Sequence, residues 1–135
     1  MTATNQLNPF KAGMSPSIRQ VMMPRDTNAL GTIFGGVILS NIDLAAAIEA
    51  HKHHCGKVVT VSMDKIEFKH PVSVGDLLSC FTETIRTGRS SVLIKVHVWA
   101  QRSFGGGHEQ YVTEAQVTMV AVDDNLKPIP LSLNT

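Results

Sequence analysis

The apolar residues of this chain follow two different periods, and the change between them divides the sequence into a helical part and a strand part. Residues 36–54 hold no proline and no internal glycine and are rich in Ala, Leu and Ile, which predicts one long helix with Gly56 as its C-terminal cap. Every second residue is then apolar along 92–100 and along most of 111–121, and this period of two predicts strands. A short strand is expected before the helix, at residues 17–23.

About four strands are expected after the helix, joined by connectors with the composition of turns. The connectors PVSVGD, TGRS and SFGGGHE predict that consecutive strands are antiparallel neighbours. Beyond Met63 the apolar parity changes, which predicts a bulge or bend near Asp64 and Lys65. One early strand, one helix and then a run of strands form an α+β pattern.

The predicted helix is apolar on almost its whole circumference, so neighbouring structure must cover it. A curved antiparallel β-sheet wrapped around one long central α-helix meets this requirement. Such a sheet has a free edge that can pair with a second copy of the chain. We therefore expect a homodimer at least.

Length and composition indicate one globular domain. The chain has 135 residues and a mass of 14.6 kDa, with 43% hydrophobic and 17% charged residues. We expect a flexible N-terminal arm over residues 1–15 and a single domain over residues 16–135. A formal net charge of +1 gives no general reason to expect nucleic acid or an anionic membrane surface as a partner.

The location expected from the sequence is the cytoplasm. Cys55 and Cys80 form no disulfide framework, and residues 1–16 lack the apolar core of a signal peptide. No apolar run approaches the roughly 20 residues that a membrane-spanning helix needs, so no membrane insertion is expected. Cys80 falls in a predicted strand and is expected to be an inert core thiol.

One acid, Asp43, stands in the otherwise small and apolar run of the predicted helix. At 100° per residue it shares a narrow stripe with small residues about one turn to either side. Small neighbours leave space above a carboxylate, as a site for a substrate and a water requires. The plainer alternative is an acid that faces solvent or bonds to a backbone group. The stripe comprises Gly36, Ser40, Asp43, Ala47, His51 and His54.

The sequence GTIFGG precedes the helix and contains a candidate oxyanion site. Gly35 and Gly36 let a ligand approach free backbone N–H groups at the helix start, where the helix dipole favours negative charge. With a carboxylate two turns further on, this arrangement suits the addition of water to an acyl carbonyl. Glycines are also common at helix starts for structural reasons. The chain has no dinucleotide fingerprint, no phosphate-loop motif and no G-x-S-x-G elbow.

The chain resembles the hotdog-fold acyl-CoA thioesterases, in particular the small bacterial acyl-CoA hydrolases related to the cytosolic acyl-CoA hydrolases of animals. The resemblance is carried by MPRDTNALGTIFGGVILSNIDLAAAIEA, KVVTVSMDKIEFKHPVSVGD and TGRSSVLIKVHVWA, and it covers about residues 17–128. It implies a hotdog fold and hydrolysis of acyl-CoA to a free fatty acid and coenzyme A. It also implies dimers with joined sheets, assembled as trimers of dimers into hexamers.

The resemblance further implies roles for particular residues. Asp43 of one protomer and Asn28 of the facing protomer would form the catalytic pair. Asp43 would activate water or attack directly, and Asn28 would orient the water or the thioester. The amides of Gly35 and Gly36 would polarise the carbonyl. Because a thioester has a good leaving group, with a thiol pKa near about 8.5, this set can suffice without a strong general acid. No cofactor is expected, since coenzyme A belongs to substrate and product.

The turn RTGRSS is the candidate contact for coenzyme A. Gly88 permits close backbone approach, and Arg86 and Arg89 can pair with phosphate oxygens. Ser90 and Ser91 can donate hydrogen bonds. The alternative is an ordinary hairpin turn in water.

Three other interpretations stay open at this point. The same scaffold could hydrate an enoyl thioester, although hotdog hydratases normally show a histidine or a hydratase motif near the helix. It could also bind acyl-CoA as a regulatory module without turnover. His51 with His54 or Cys55 has the helical spacing to share a metal ion. A cation-rich last turn that complements the helix dipole is the simpler account, and no metal site is expected.

Overall fold

The structure, a computed structural model, describes residues 8–102 and 108–134 and shows one long helix against one sheet. The elements are β1 Ile18–Val21, α1 Gly35–Ala50, β2 Val58–Asp64, β3 Leu77–Thr87, β4 Ser91–Gln101 and β5 Glu109–Ala121. A single turn of 3-10 helix, Pro24–Asp26, lies between β1 and α1. The described strands form a five-stranded sheet in the order β1-β3-β4-β5-β2, with every pair antiparallel. The α+β prediction is therefore confirmed.

The core lies between α1 and the concave face of the sheet. The predicted alternation in β4 is confirmed, because its apolar residues of one parity are all fully or almost fully buried. Ala45 and Ala46 of α1 are also buried, and their small side chains let the helix approach the strands closely. Burial of one Val or Ile side chain contributes about 1.5–3 kcal/mol, so this face stabilises the docked helix. The buried residues of β4 on this face are Val92, Ile94, Val96, Val98 and Ala100.

One predicted strand pairing is wrong. β3 pairs with β4 and β4 with β5, as expected, but β2 pairs with β5 at the far edge of the sheet and β3 pairs with β1. The connection between β2 and β3 crosses the start of α1, where the Ile33 N–H donates to the Val72 carbonyl at 2.8 Å. The PVSVGD segment therefore ends a crossover and does not close a hairpin. Part of the SFGGGHE connector, residues 103–107, lies outside the described residues.

The predicted bend after Met63 is confirmed. β2 ends at Asp64, and Lys65 has a φ of 63°, in the left-handed region. A second irregularity was not expected: the register between β2 and β5 shifts between Thr60 and Ser62, so Val61 is an extra residue in β2. This bulge lies beside the middle of α1.

The helix ends earlier than predicted. It stops at Ala50, and the following N–H groups of Lys52 and His53 make short i→i+3 bonds that tighten the last turn. The chain then turns inward at His54, which is 3% exposed. Gly56 does not cap the helix. A Cβ atom at Gly56 would lie 3.0 Å from His54 Nε2, so glycine makes room for the buried ring.

The N-terminal arm predicted for residues 1–15 falls partly on residues 1–7, which lie outside the described residues. Beyond them, the Phe10 ring packs edge-to-face against Phe81, with ring centroids 5.1 Å apart. The same ring approaches Trp99 at 6.1 Å.

A buried carboxylate anchors the second half of α1 to β3. Glu49 is 3% exposed, and its two oxygens accept hydrogen bonds from Thr82 Oγ1 at 2.9 Å and Thr84 Oγ1 at 2.7 Å. Lys52 Nζ lies 2.8 Å from the same carboxylate. Burial alone would raise the pKa of Glu49, but the bonds from Lys52, Thr84 and Thr82 together outweigh it and place the pKa below its ordinary value. These bonds fix the rotation of the helix on the sheet.

Replacing Thr84 with valine should lower the free energy of unfolding by about 2 kcal/mol, because a buried carboxylate oxygen loses its donor. The matched control is Thr87→Val, at an exposed position in the same strand. Urea unfolding measures both. A group with a lowered folded-state pKa contributes stability above its unfolded-state pKa, and this contribution is lost as pH falls through the folded-state value. The difference between the two variants should therefore shrink in acid. Equal stability of both variants at neutral pH would contradict this role of Glu49.

Candidate active site

Asp43 lies in the middle of α1, half-buried, and faces β2. Its Oδ1 accepts a hydrogen bond of 2.5 Å from the hydroxyl of Thr60. Its Oδ2 has no hydrogen-bond donor within the described parts of the chain. The carboxylate is thus held by one side chain and keeps one oxygen free for a water or a substrate atom.

Thr60 is a candidate functional residue that the sequence did not reveal. The predicted parity placed Val59, Val61 and Met63 on one face of the strand. The bulge breaks that parity: Thr60, although an exposed residue, points its hydroxyl towards the helix, and the neighbouring Val61 is 61% exposed. Thr60 Oγ1 also lies 3.2 Å from the sulfur of its cross-strand neighbour Met119. The sequence does show Thr60 as a polar residue between two valines, but this pattern is equally typical of a side chain that faces outward.

The sheet covers only one side of α1, so the helix is not wrapped all round within one chain. Leu44 is 60% exposed and Ile48 is 47% exposed, on the part of the helix that the sheet leaves open. Ser40, one turn before Asp43, is exposed, and its hydroxyl donates to the Gly36 carbonyl at 2.9 Å. Leu44 and Ile48 therefore form an apolar surface on the helix that carries Asp43, and the described residues of one chain leave this surface uncovered.

The first turn of α1 offers free N–H groups, as the glycines predicted. Phe34, the N-cap residue, provides no side-chain cap, and no acid lies in the first turn. Within residues 8–102 and 108–134, the N–H groups of Gly35 and Gly36 have no hydrogen-bond acceptor. The Phe34 ring lies over Gly36, where a Cβ atom would be 2.7 Å from Cε2 of that ring. Gly35 precedes Asp43 by eight residues, which corresponds to about 12 Å along the helix axis.

Asn28 shapes the loop before the helix. Its Oδ1 accepts hydrogen bonds from the N–H groups of Leu30 at 2.8 Å and Thr32 at 3.2 Å. Its Nδ2 donates to Thr32 Oγ1 at 3.0 Å and keeps a second N–H. Among the residues described, no hydrogen bond joins Asn28 to Asp43 of the same chain.

The RTGRSS segment forms the hairpin between β3 and β4. The Gly88 N–H donates to the Ser91 carbonyl at 2.8 Å, and a Cβ atom at Gly88 would lie 2.7 Å from Ser91 Oγ, so this position suits glycine. Arg86 and Arg89 are exposed, and neither has a carboxylate partner in the described ranges. The Ser90 carbonyl accepts a hydrogen bond from the backbone of β5. Within the part of the chain that the structure describes, the turn therefore presents two cations without carboxylate partners on a hydrogen-bonded backbone.

The three histidines after α1 each have a separate partner. His51 Nδ1 donates to the His54 carbonyl at 3.0 Å. His53 Nε2 donates to Thr84 Oγ1 at 2.8 Å, since that hydroxyl already gives its proton to Glu49. His54 Nδ1 accepts a hydrogen bond from the Ser132 N–H at 3.1 Å. His54 does not belong to the predicted helical stripe, because the helix ends at Ala50.

The two cysteines differ in their surroundings. Cys55 is exposed, and its Sγ donates to the Asn134 carbonyl at 3.3 Å. Cys80 is buried in β3, as expected, and burial raises the pKa of its thiol to about 12.

Over the described residues, no group of three His, Cys, Asp or Glu side chains could hold a metal ion.

Comparisons with known proteins agree with this architecture. Residues 30–103 match the model of the thioesterase superfamily. An acyl-CoA thioester hydrolase of Haemophilus influenzae, itself uncharacterised, is 46% identical over 110 residues, which span 80% of this chain and 71% of the relative. No helix within the described residues is long and apolar enough to cross a membrane.

Solved structures extend the similarity to the fold. The hexameric hotdog fold thioesterase Cj0915 of Campylobacter jejuni is 47% identical and superposes with a TM-score of 0.81, over 87% of this chain and 90% of its own. HI0827, a hexameric broad specificity acyl-coenzyme A thioesterase solved as a mutant with an aspartate replaced by alanine, is 40% identical with a TM-score of 0.83, over 90% of this chain and 89% of its own. The chain therefore belongs to the thioesterase superfamily, and its sheet and central helix form the hotdog fold.

Proposed function

We propose that this chain is an acyl-CoA thioesterase, which hydrolyses acyl-CoA to a free fatty acid and coenzyme A in the cytoplasm without a cofactor. The observation that carries the proposal is Asp43, a carboxylate that Thr60 orients and whose second oxygen has no donor among the described residues. The same helix carries the exposed apolar side chains of Leu44 and Ile48, which suit contact with an acyl chain. The activities ascribed to the relatives support the same reaction.

Asp43 acts on the thioester carbonyl by one of two routes. It either removes a proton from the attacking water or attacks the carbonyl carbon itself. In the first route water adds to the carbonyl, the C–S bond breaks, and the fatty acid and coenzyme A leave. In the second route the C–S bond breaks as Asp43 forms a mixed anhydride with the acyl group, and water then hydrolyses this anhydride, which releases the fatty acid and regenerates Asp43. Coenzyme A leaves as a thiolate in both routes without a strong general acid, because the pKa of its thiol is about 8.5. Thr60 holds the carboxylate in one orientation, so that the same oxygen faces the substrate at each turnover.

One chain cannot bring Asp43 and the N–H groups at its own helix start to the same carbonyl, so the proposed site needs a second copy of the chain. Gly35 and Asp43 of one helix are about 12 Å apart, whereas a carbonyl and its attacking atom must meet within about 3.5 Å. A two-fold axis near Leu39 brings Asp43 of one copy level with the helix start of the other, because residues equidistant from the axis face each other. The N–H groups of Gly35 and Gly36 then polarise the carbonyl, and the spare N–H of Asn28 orients the water or the thioester.

Several features of the single chain support such a dimer. The exposed Leu44 and Ile48 would be covered by a partner, and β2 has a free edge that can pair with its counterpart. Because two of the similar solved structures are hexamers, we propose that three such dimers assemble into a hexamer.

The RTGRSS turn is the proposed site for the phosphates of coenzyme A. Arg86 and Arg89 are exposed and have no carboxylate partner among the described residues, so both are available for phosphate oxygens. Gly88 keeps the backbone accessible, and the hydroxyls of Ser90 and Ser91 add donors.

Release of free thiol from a panel of acyl-CoAs of increasing chain length tests the proposed reaction. The expected result is thiol release that follows enzyme concentration. Binding of acyl-CoA without thiol release would instead indicate a regulatory module. Loss of an enoyl-CoA chromophore without thiol release would indicate a hydratase. Either of these results would overturn the proposal.

A further inference from the structure

Residues 129–134, here called the latch segment, connect the end of α1 to the RTGRSS turn. The Leu131 N–H donates to the Arg89 carbonyl at 2.9 Å. The next residue, Ser132, makes two bonds to the region after the helix: its N–H donates to His54 Nδ1 at 3.1 Å, and its carbonyl accepts from the Cys55 N–H at 2.9 Å. Because the two bonded residues are adjacent, the turn and the helix end are linked by a short length of chain.

The His54 side chain makes one of these bonds, and its burial destabilises the fold. The side chain is 3% exposed, and Nδ1 accepts a hydrogen bond, so the ring proton lies on Nε2. Nε2 is buried and has no hydrogen-bond partner in the described part of the chain. A buried donor without a partner destabilises the fold, and an apolar side chain would avoid this cost. The acceptor at Nδ1 is therefore the feature of His54 that an apolar residue cannot replace.

We propose that His54 is a positioning residue for coenzyme A, acting through Ser132 and Leu131 on the backbone of the RTGRSS turn. The inference rests on the proposed function, in which that turn contacts the phosphates. When Nδ1 is removed, Ser132 keeps its bond to the Cys55 N–H but loses the bond to His54, so the Arg89 carbonyl is held by a looser segment. Binding of the phosphates must then order the turn, so affinity for coenzyme A falls while the chemistry at Asp43 is unchanged.

The test compares two substrates that share a thioester but differ in the part that the turn contacts. The variant His54→Leu is assayed with an acyl-CoA and with the corresponding acyl-pantetheine, which lacks the nucleotide phosphates. We expect KM for acyl-CoA to rise about fivefold with kcat retained, as for one lost hydrogen bond, and KM for acyl-pantetheine to stay at the wild-type value. His54→Asn, whose Oδ1 can replace Nδ1 as the acceptor, should restore the wild-type KM.

Two further variants keep the inference falsifiable. Ser132→Pro removes the donor from the other side of the bond and should give the same substrate-dependent change even if His54→Leu does not fold. The double variant Arg86→Ala/Arg89→Ala should raise KM for acyl-CoA alone. If it does so while both latch variants affect the two substrates equally, or affect neither, the latch is wrong and the proposed function stands. If the double variant also leaves KM for acyl-CoA unchanged, the assignment of coenzyme A to the turn fails, and the inference about His54 fails with it.

Discussion

Replacing Asp43 with alanine should reduce hydrolysis of acyl-CoA about a thousandfold, within the range that a positioned base contributes. Asp43 is the carboxylate that Thr60 orients towards the open surface, and its free oxygen is the group proposed to act on water or on the carbonyl. The substitution removes one hydrogen bond at a half-buried position, so the fold should lose only about 1 kcal/mol of stability. Initial rates of thiol release, with a thermal melt of the same sample, separate the two effects.

The matched control is Asp64→Ala, which removes an acid at an exposed position at the end of β2. This variant should keep a rate close to that of the wild type, because Asp64 lies outside the proposed site. A rate for Asp43→Ala within about threefold of the wild-type value, in a folded sample, would contradict the role of Asp43 as base or nucleophile.

The elements with a clear hydrophobic period could be predicted from the sequence, and their pairing could not. α1 and the strands β3, β4 and β5 follow periods that local composition determines. β3 has β4 on one side and β1 on the other, so β2 cannot pair with β3 and pairs with β5 instead. The position of β2 therefore depends on contacts between residues that are far apart in sequence. A connector with turn composition, such as PVSVGD, gives no information about which strand lies beside it.

The sequence predicted some residues of the candidate site and not others. Asp43 stood out from the helical stripe, and Gly35 and Gly36 from their place at the helix start. Thr60 was missed because a bulge reverses the side of β2 that faces the helix, and no residue type announces that irregularity. His54 lies outside the stripe, because the helix ends at Ala50 and not at residue 54 as its composition predicts.

The catalytic role proposed for Asn28 rests on the family resemblance and not on the geometry of a single chain. Within one chain its amide mainly holds its own loop, with three hydrogen bonds to Leu30 and Thr32. A role in catalysis follows only if this loop meets Asp43 of another copy. The sharing of one site between two copies is therefore the central claim about this protein.

Mixing two inactive variants, Asp43→Ala and Asn28→Ala, should restore activity. In a mixed dimer, one site takes both damaged residues and the other takes an intact Asp43 from one copy and an intact Asn28 from the other. Random exchange makes about half of the dimers mixed, with one of two sites intact, so the mixture should reach about a quarter of the wild-type rate. Each variant alone should stay far below that value.

This mixing experiment tests the shared site most directly, with native mass spectrometry of differently tagged copies to establish that subunits have exchanged. The expected result is recovery of thiol release in proportion to the fraction of mixed dimers. Complete exchange with no recovery of thiol release would contradict a site built from Asp43 of one protomer and Asn28 of its partner.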